Sequence, residues 1–269
     1  MMKKSIPLII SSTIVLLLVT AAVFAPWLAP NDPYATNMAM KLQGISAAYP
    51  LGTDHLGRCV LSRLIMGARV SLFTALGVLA VTLVLSMVVG VAAGYLGGIA
   101  DLALMRACDI LMAIPHFIFA LVIVGALGGG VWNMFIAIII VSWVGYARII
   151  RNMVRSLKES TYVQYAKMTG VSTVKIVKRH ILPFVFPQIL LLLLIGTGST
   201  VLLISELSFL GLGVTAPMPE WGMMISESKM YLSSNPMLMF VPGVMISLTV
   251  LIFDWFGDTL RDAIDPKMK

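Results

Sequence analysis

Charged residues divide the chain into long, uncharged, apolar intervals. These intervals run from Lys4 to Asp32, Arg69 to Asp101, Asp109 to Arg148, His180 to Glu206 and Lys229 to Asp254. A membrane-spanning helix needs about 20 mainly apolar residues, and the third interval is long enough for two helices separated at glycines 128–130. The pattern therefore predicts six membrane-spanning helices, near 6–28, 70–95, 102–126, 131–150, 187–205 and 236–256.

The composition agrees with a membrane protein. Only 12% of the residues are charged and the mean hydropathy is +0.98, whereas soluble domains carry about 25% charged residues. A net charge of +7 would suggest a nucleic-acid partner in a soluble protein. Here the cations are explained by membrane edges facing the cytoplasm, so we expect membrane lipid around the chain and no nucleic acid.

The distribution of Lys and Arg predicts the orientation. With both termini in the cytoplasm, most of the 19 Lys and Arg residues lie on that side, as the positive-inside rule requires. The few that remain outside are Lys41, Arg58, Arg63, Arg69 and Lys229. The first apolar stretch lacks a convincing small-residue cleavage site, so we expect it to be a retained anchor.

The motifs of common enzymes are missing from the sequence. It contains no G-x-x-x-x-G-K-[ST] loop for ATP and no G-x-S-x-G nucleophile motif. His55, His116 and His180 fall on both sides of the membrane in the predicted topology, so we expect no metal site. Cys59 and Cys108 are likewise separated, and we expect two unpaired thiols, with Cys59 accessible from outside if the segment around it is not buried.

One interval combines dense positive charge with signals for two short helices. Glu159 is its only acid, and its cations are Arg148, Arg151, Arg155, Lys158, Lys167, Lys175, Lys178 and Arg179. Thr161 and Gln164 fit a capping box at the start of a helix over 162–169. Gly170 is placed to end that helix with a positive φ.

The second short helix is predicted directly after this glycine. Ser172 or Thr173 can cap it, and Pro183 and Pro187 are expected to interrupt it before the fifth membrane span. A helix–glycine–helix hairpin on the cytoplasmic side is typical of a docking element for another protein. The alternative is a basic loop that only touches anionic lipid headgroups.

This hairpin resembles the EAA loop of ABC-importer membrane subunits. The segment "YVQYAKMTGVSTVKIVKRHILP" matches the pattern E-A-A-x-x-x-G, nine residues and I-x-L-P at Ala166, Gly170 and the run 180–183, whereas Gln164 and Tyr165 depart from it. The segments "LAPNDP", "YPLGTDHLGRCVLSRLIMGARVSL", "ELSFLGLGVTAPMPEWGMMI" and "GDTLRDAIDPK" resemble the dipeptide, oligopeptide and nickel branch. Cys59 stands where that branch usually has Asp.

The resemblance implies an all-α, polytopic type I ABC importer permease with about six transmembrane helices, in the inner membrane of a prokaryote. Residues 1–69 would form an N-terminal anchor and extracytoplasmic arm. Residues 70–269 would form the permease core, including a cytoplasmic coupling loop at 151–187. The residues implied to couple to the ATPase are Tyr162, Gln164, Tyr165, Ala166, Lys167, Gly170, His180 and Pro183.

The resemblance also implies partners. They are a paralogous second permease, two cytoplasmic ATPase subunits that hold ATP and Mg, and an extracytoplasmic solute-binding protein. The chain itself would bind no cofactor and catalyse no reaction. The solute would be nickel, a metal chelate, or a di- or oligopeptide.

Several residues outside the loop are further candidates. Gly90 and Gly94 form a small-xxx-small pattern for close helix packing. Arg106 and Asp109 are three residues apart and are expected to pair. Candidates for lining the solute pathway are Glu206, Phe209 and Trp221. The alternative functions are a permease of another ABC branch and an intramembrane enzyme, although the predicted spans offer no cluster of polar residues for the latter.

Overall fold

The computed structural model describes residues 2–264, and the secondary structure over this range is helical, without strands. The N-terminal half contains α1 (Met2–Val23), α2 (Ala25–Leu28), α3 (Val60–Leu96), α4 (Gly98–Met112), α5 (His116–Leu127) and α6 (Val131–Lys158). The C-terminal half contains α7 (Thr161–Met168), α8 (Thr173–Ile176), α9 (Leu182–Ile195), α10 (Thr197–Phe209), α11 (Trp221–Ser228) and α12 (Met237–Ile264). The predicted tail beyond position 264, with Lys267 and Lys269, lies outside the described residues.

Five helical segments within residues 2–264 are long and apolar enough to cross a membrane, and a bent pair makes a sixth. The five are Ile6–Val23, Val60–Leu96, Val131–Lys158, Thr173–Ile195 and Met237–Ala263. The prediction of an all-α protein with about six membrane spans is confirmed. The helix α3 begins ten residues before the predicted start of the second span. The segment 60–69 is helical as well, because apolar residues surround Arg63 and Arg69.

The third predicted span is not one straight helix. The prediction of a continuous helix over 102–126 is wrong, because α4 and α5 meet at an angle of 87°. Pro115 lies at the junction with a φ of −54°. Proline has no N–H to donate and disfavours helical geometry in the preceding residue, so the apolar segment bends here.

The fifth predicted span is also displaced. A helix over 187–205 would cross the boundary between α9 and α10 at Gly196. The prolines do not interrupt the preceding helix either, because a π-helical turn over Val177–Ile181 connects α8 to α9. In this turn the Leu182 N–H donates to the Val177 carbonyl, and Pro183, which lacks an N–H, sits in the first turn of α9, where none is needed.

The longest helices pack closely along one another. The helices α3 and α6 form the most extensive pair, and α12 packs against α1, α9, α10 and α11. A Cβ at Gly90 would lie 2.6 Å from Ile150 Cβ, and one at Gly94 would lie 2.7 Å from the Arg151 carbonyl oxygen. The backbones of α3 and α6 therefore approach to a distance that only glycine permits at these two positions.

Two ends of this bundle are distinguished below. The "arm end" carries the segment 29–59 and the segment 210–236, and the "loop end" carries α7 and the segment 159–172. Buried apolar residues form a large cluster that includes Leu72, Met134 and Trp221, and a smaller cluster that includes Ile150 and Ile181. The smaller cluster supports the loop end.

Candidate functional site

The short helix α7 is anchored on one face and exposed on the other. Val163 and Ala166 are buried in the same apolar cluster as Val154 of α6 and Ile176 of α8. The side chains on the opposite face reach outward, and Tyr165 is 69% exposed. A rigidly held helix with an exposed aromatic face can serve as a docking element.

The end of α7 depends on Gly170. Its φ is +79°, as the sequence predicts. The Gly170 N–H donates to the Lys167 carbonyl at 3.1 Å, and the Val171 N–H donates to the Ala166 carbonyl at 3.1 Å. This pair of bonds is the Schellman motif. A Cβ at Gly170 would meet no atom within 4 Å, so the position requires glycine for its backbone conformation and not for space.

The predicted capping box is wrong. Ser160 is the residue that precedes α7, and its side chain makes no capping hydrogen bond. The Gln164 amide instead donates to the Lys158 carbonyl at 2.8 Å, and Lys158 Nζ donates to the Tyr95 carbonyl at 2.6 Å. Gln164 therefore ties α7 to the end of α6 across the turn at 159–160, and Lys158 ties the end of α6 to the last turn of α3, with which α6 packs.

The other implied coupling residues surround the same hairpin. The Tyr162 hydroxyl donates a long hydrogen bond, 3.5 Å, to the His180 carbonyl. The Tyr162 ring lies 6.3 Å from the His180 ring and 6.0 Å from the Phe184 ring, measured between centroids. Lys167 is exposed, and Ser172 precedes α8 without a side-chain capping bond. The hairpin thus holds its two halves together mainly by apolar and aromatic contacts.

Ion pairs link α4 to α6 near the loop end. Arg151 makes a two-pronged contact with Asp101, with Nε donating to Oδ1 at 2.8 Å. Asp109 pairs with Arg148 of α6. The predicted pairing of Asp109 with Arg106 is wrong, because α4 lies beside α6 and directs Asp109 toward that helix, which leaves Arg106 on the exposed side.

A buried ionic cluster at the arm end was not found from the sequence. Arg58 Nε lies 2.6 Å from Asp54 Oδ2, and Arg58 Nη2 lies 2.9 Å from Glu227 Oε2. Arg63 Nη2 lies 2.8 Å from the same Glu227 oxygen. The side chains of both arginines are 1% exposed. The sequence did contain a signal for this cluster. Arg58 and Arg63 lie where the apolar helix α3 begins, and buried charges need partners of opposite sign.

Trp221 does not line a cavity in this structure. It is fully buried, and its Nε1 donates to the Leu64 carbonyl at 3.0 Å. The preceding residue, Glu220, accepts from Ser71 at 3.1 Å and Ser205 at 3.0 Å, and it caps α11 through the Met223 N–H. Burial removes Trp221 from the candidates for solute contact and makes it a packing residue between α3 and α11.

Phe209 lies at the C-terminal end of α10 and is not among the residues that line the cavity around Glu206. Lys229 Nζ sits 3.9 Å from the centroid of its ring and donates to its carbonyl at 2.8 Å. The Ser226 hydroxyl donates to the same carbonyl. The Lys229 ammonium therefore lies at the C-terminus of α10, where the helix dipole stabilises a positive charge.

Glu206 is the pathway candidate that lies in a cavity. The cavity has a volume of about 350 Å³ and lies between α3, α5, α6 and α10. Leu79 and Tyr146, near the midpoints of α3 and α6, place it at about half the depth of the bundle. Its polar lining consists of His116, Ser142, Tyr146, Ser199, Thr200 and Glu206.

Comparison with known families decides the classification. Residues 86–269 match the family described as "Binding-protein-dependent transport system inner membrane component". The chain belongs to this family. Residues 3–44 of this permease also match the N-terminal transmembrane domain of oligopeptide transport permease C.

Individual relatives cover nearly the whole permease. The nickel transport system permease protein NikC of Escherichia coli is 39% identical over 95% of this chain and 92% of its own. The dipeptide transport system permease protein DppC of Alkalihalophilus pseudofirmus is 40% identical over 100% and 88%. The glutathione transport system permease protein GsiD of Pectobacterium atrosepticum is 39% identical over 95% and 85%. The permease is a multi-pass membrane subunit of an ABC importer and acts in transport.

A solved structure supports the fold. A chain of the MetNI methionine ABC transporter in an inward-facing conformation superposes with a TM-score of 0.56, at 19% identity, over 75% of this permease and 96% of that chain. The fold is therefore that of type I ABC importer permeases, as expected from the sequence.

Proposed function

We propose that this chain is one of two different permease subunits that form a single translocation pathway. Two ATPase subunits would dock at the loop end and hold ATP and Mg, and an extracytoplasmic binding protein would deliver the solute at the arm end. The chain itself contributes no catalytic step. The relatives named for nickel, dipeptide and glutathione transport support this assembly.

The coupling loop carries this proposal. Its inner face is fixed in the apolar cluster through Val163 and Ala166, while Tyr165 and Met168 are exposed. A motion of an ATPase that grips these two side chains would be transferred to α6 and α9, because α7 cannot slide independently of that cluster. Differential binding of ATP to the open and closed ATPase pair would then shift the membrane halves between their two orientations.

The solute we propose is nickel, free or chelated, or a di- or oligopeptide. The named relatives for nickel and dipeptide transport are 39% and 40% identical to this chain, so identity alone does not separate these solutes. The binding protein would set most of the specificity, and the permease would pass the released solute.

The assembly is tested by purification and uptake with the complete operon. A tagged form of this chain is expected to bring down a paralogous permease and two ATPase subunits. In a deletion strain, the operon is expected to restore uptake of nickel-63, with or without a small chelator, or growth on an essential dipeptide. Purification of the chain without ATPases, together with no change in either uptake, would contradict the proposal.

The orientation is tested with cysteine labelling. Cys59 is 2% exposed, so an engineered cysteine at the exposed Lys41 is the better external probe. Lys41→Cys is expected to react with an impermeant thiol reagent in intact cells, and Lys175→Cys only in inverted vesicles. External labelling at position 175 would reverse the proposed orientation.

A further inference from the structure

Glu206 is an acidic side chain without a partner inside the apolar part of the bundle. Among residues 6–263, whose side chains the structure describes, no group forms a hydrogen bond or ion pair with its carboxylate. The acids of the arm-end cluster and of α11 differ: Asp54 and Glu227 share two arginines, and Glu220 accepts three hydrogen bonds. An ionisable group is costly in a membrane span and marks a functional site when it faces a cavity.

The geometry of α10 directs this acid along the cavity. Ser199, Leu203 and Glu206 are spaced at i, i+4 and i+7, which places them on one face of the helix. All three line the cavity. On the opposite wall, the Ser142 hydroxyl lies 3.4 Å from His116 Nε2. The cavity thus has a carboxylate on one wall and neutral hydroxyls with an imidazole on the other.

The volume of the cavity fits a small solute or one end of a larger one. At about 350 Å³ it lies at the lower end of the range for small-molecule sites, about 300–1,000 Å³. A single carboxylate attracts a cation but offers it few ligands, so the solute can enter and leave. Transport requires this balance, because a site that binds too tightly stops conduction.

We infer that Glu206 forms a transient binding site for the positively charged group of the solute as it crosses the permease. The inference rests on the proposed function and names the chemistry of its pathway. The charged group would be the ammonium of a peptide or the cation of a nickel species. His116 and Ser142 would contact the polar remainder of the same solute from the facing wall.

The first experiment needs no knowledge of the solute. In the complete transporter, Ser199→Cys is introduced into this chain with Cys59 and Cys108 replaced by Ala. Its rates of modification by a quaternary-ammonium thiosulfonate and by a sulfonate thiosulfonate are compared. Glu206 lies seven residues away on the same helix, about 10 Å. Glu206→Gln is expected to lower the cation-to-anion rate ratio by about tenfold.

A matched position controls for general charge effects. Ser233 is exposed in the arm-end segment. The cation-to-anion rate ratio measured at Ser233→Cys is expected to be the same whether residue 206 is Glu or Gln. An unchanged ratio at Ser199→Cys on removal of Glu206 would overturn the inference.

The second experiment measures transport in proteoliposomes with the binding protein and ATPases present. Glu206→Gln is expected to lower uptake about tenfold while the complex still assembles and hydrolyses ATP at a rate within about twofold of wild type. Glu206→Asp is expected to recover most of the uptake. Asp258→Asn, which removes an exposed carboxylate from α12, is expected to have no effect.

Comparing two labelled solutes in this assay identifies which positively charged group Glu206 binds. Loss confined to a labelled dipeptide assigns the ammonium, and loss confined to nickel-63 assigns the metal. Loss of assembly that Glu206→Asp does not rescue would show a structural ion pair with the second permease and overturn the inference. If the wild-type transporter carries neither solute, the proposed substrate class fails, while the labelling ratio at position 199 still decides whether the site attracts cations.

Discussion

The ion pairs at the arm end and near the loop end differ in how deeply they are buried. At the arm end, Arg58 and Arg63 are 1% exposed and bind Asp54 and Glu227, which joins the arm to α3 and α11. Near the loop end, the side chains of Arg148 and Asp109 are 38% and 51% exposed, and those of Arg151 and Asp101 are 20% and 17% exposed. The arm-end ions are almost fully enclosed by the protein, whereas the Arg148–Asp109 pair is partly open at the surface of the bundle.

This difference has a mechanical consequence. Breaking a buried ion pair strands a charge and is strongly destabilising, whereas an exposed pair contributes about 0–1 kcal/mol and its partners exchange readily with water. The arm end is therefore fixed in one arrangement. Near the loop end, the Arg148–Asp109 pair can exchange its contacts at little cost during each transport cycle, whereas the Arg151–Asp101 pair is more enclosed.

The largest effect is expected from breaking the arm-end cluster. Arg58→Met leaves the charges of Asp54 and Glu227 with one arginine between them, and we expect the protein to lose about 3–5 kcal/mol of stability. The midpoint of thermal unfolding in detergent measures this loss. A melting temperature close to that of the wild type would show that the cluster does not fix the arm.

An intermediate effect is expected from the contact between α3 and α6. Gly90→Ala places a Cβ 2.6 Å from Ile150 Cβ and 2.7 Å from the Ala147 carbonyl oxygen, and overpacking of this kind costs about 1–3 kcal/mol. The matched control is Gly145→Ala in α6, where a Cβ meets no atom within 4 Å. The control should be neutral or slightly stabilising in the same unfolding assay. Equal melting temperatures for the two variants would contradict the close approach.

The smallest effect is expected from an exposed pair at the loop end. Arg148→Met removes the partner of Asp109 where both side chains are partly exposed, and we expect a loss of about 0–1 kcal/mol. Thermal unfolding of this variant beside Arg58→Met measures the contrast directly. A loss at position 148 as large as that at position 58 would remove the distinction between the two ends.

The sequence predicted the number of spans because hydropathy and charge report directly on the membrane environment. It also predicted the contact at Gly90 and Gly94, since two small residues four apart permit helix approach. It did not predict the bend at Pro115 or the π-helical turn before Pro183. In both places a proline leaves a backbone carbonyl without its usual N–H donor. Whether the helix bends or forms a π-turn there depends on tertiary packing, which the local sequence pattern does not contain.

The candidate site shows the same division. The hairpin and the φ of Gly170 follow from local chemistry, because a glycine between two short helices commonly takes a left-handed conformation. The partners of Gln164, Asp109 and Arg58 depend on which helices become neighbours. Trp221, predicted as a pathway residue, is fully buried in this structure. An aromatic residue after an apolar span suits either a packed core or a solute contact, and the sequence alone does not distinguish the two.

The most direct measurement is the coupling of ATP hydrolysis to uptake in Gly170→Val. A Cβ there meets no atom within 4 Å, but the φ of +79° is strained for valine. The cost, at least about 1–2 kcal/mol, reshapes the end of α7 without unfolding the bundle. Gly44→Val, in open space and without a positive φ, is the control. Gly170→Val is expected to insert normally but to lose uptake, either by uncoupling it from ATP hydrolysis or by releasing the ATPases. Wild-type uptake with wild-type ATP consumption by this variant would contradict a coupling role for the loop.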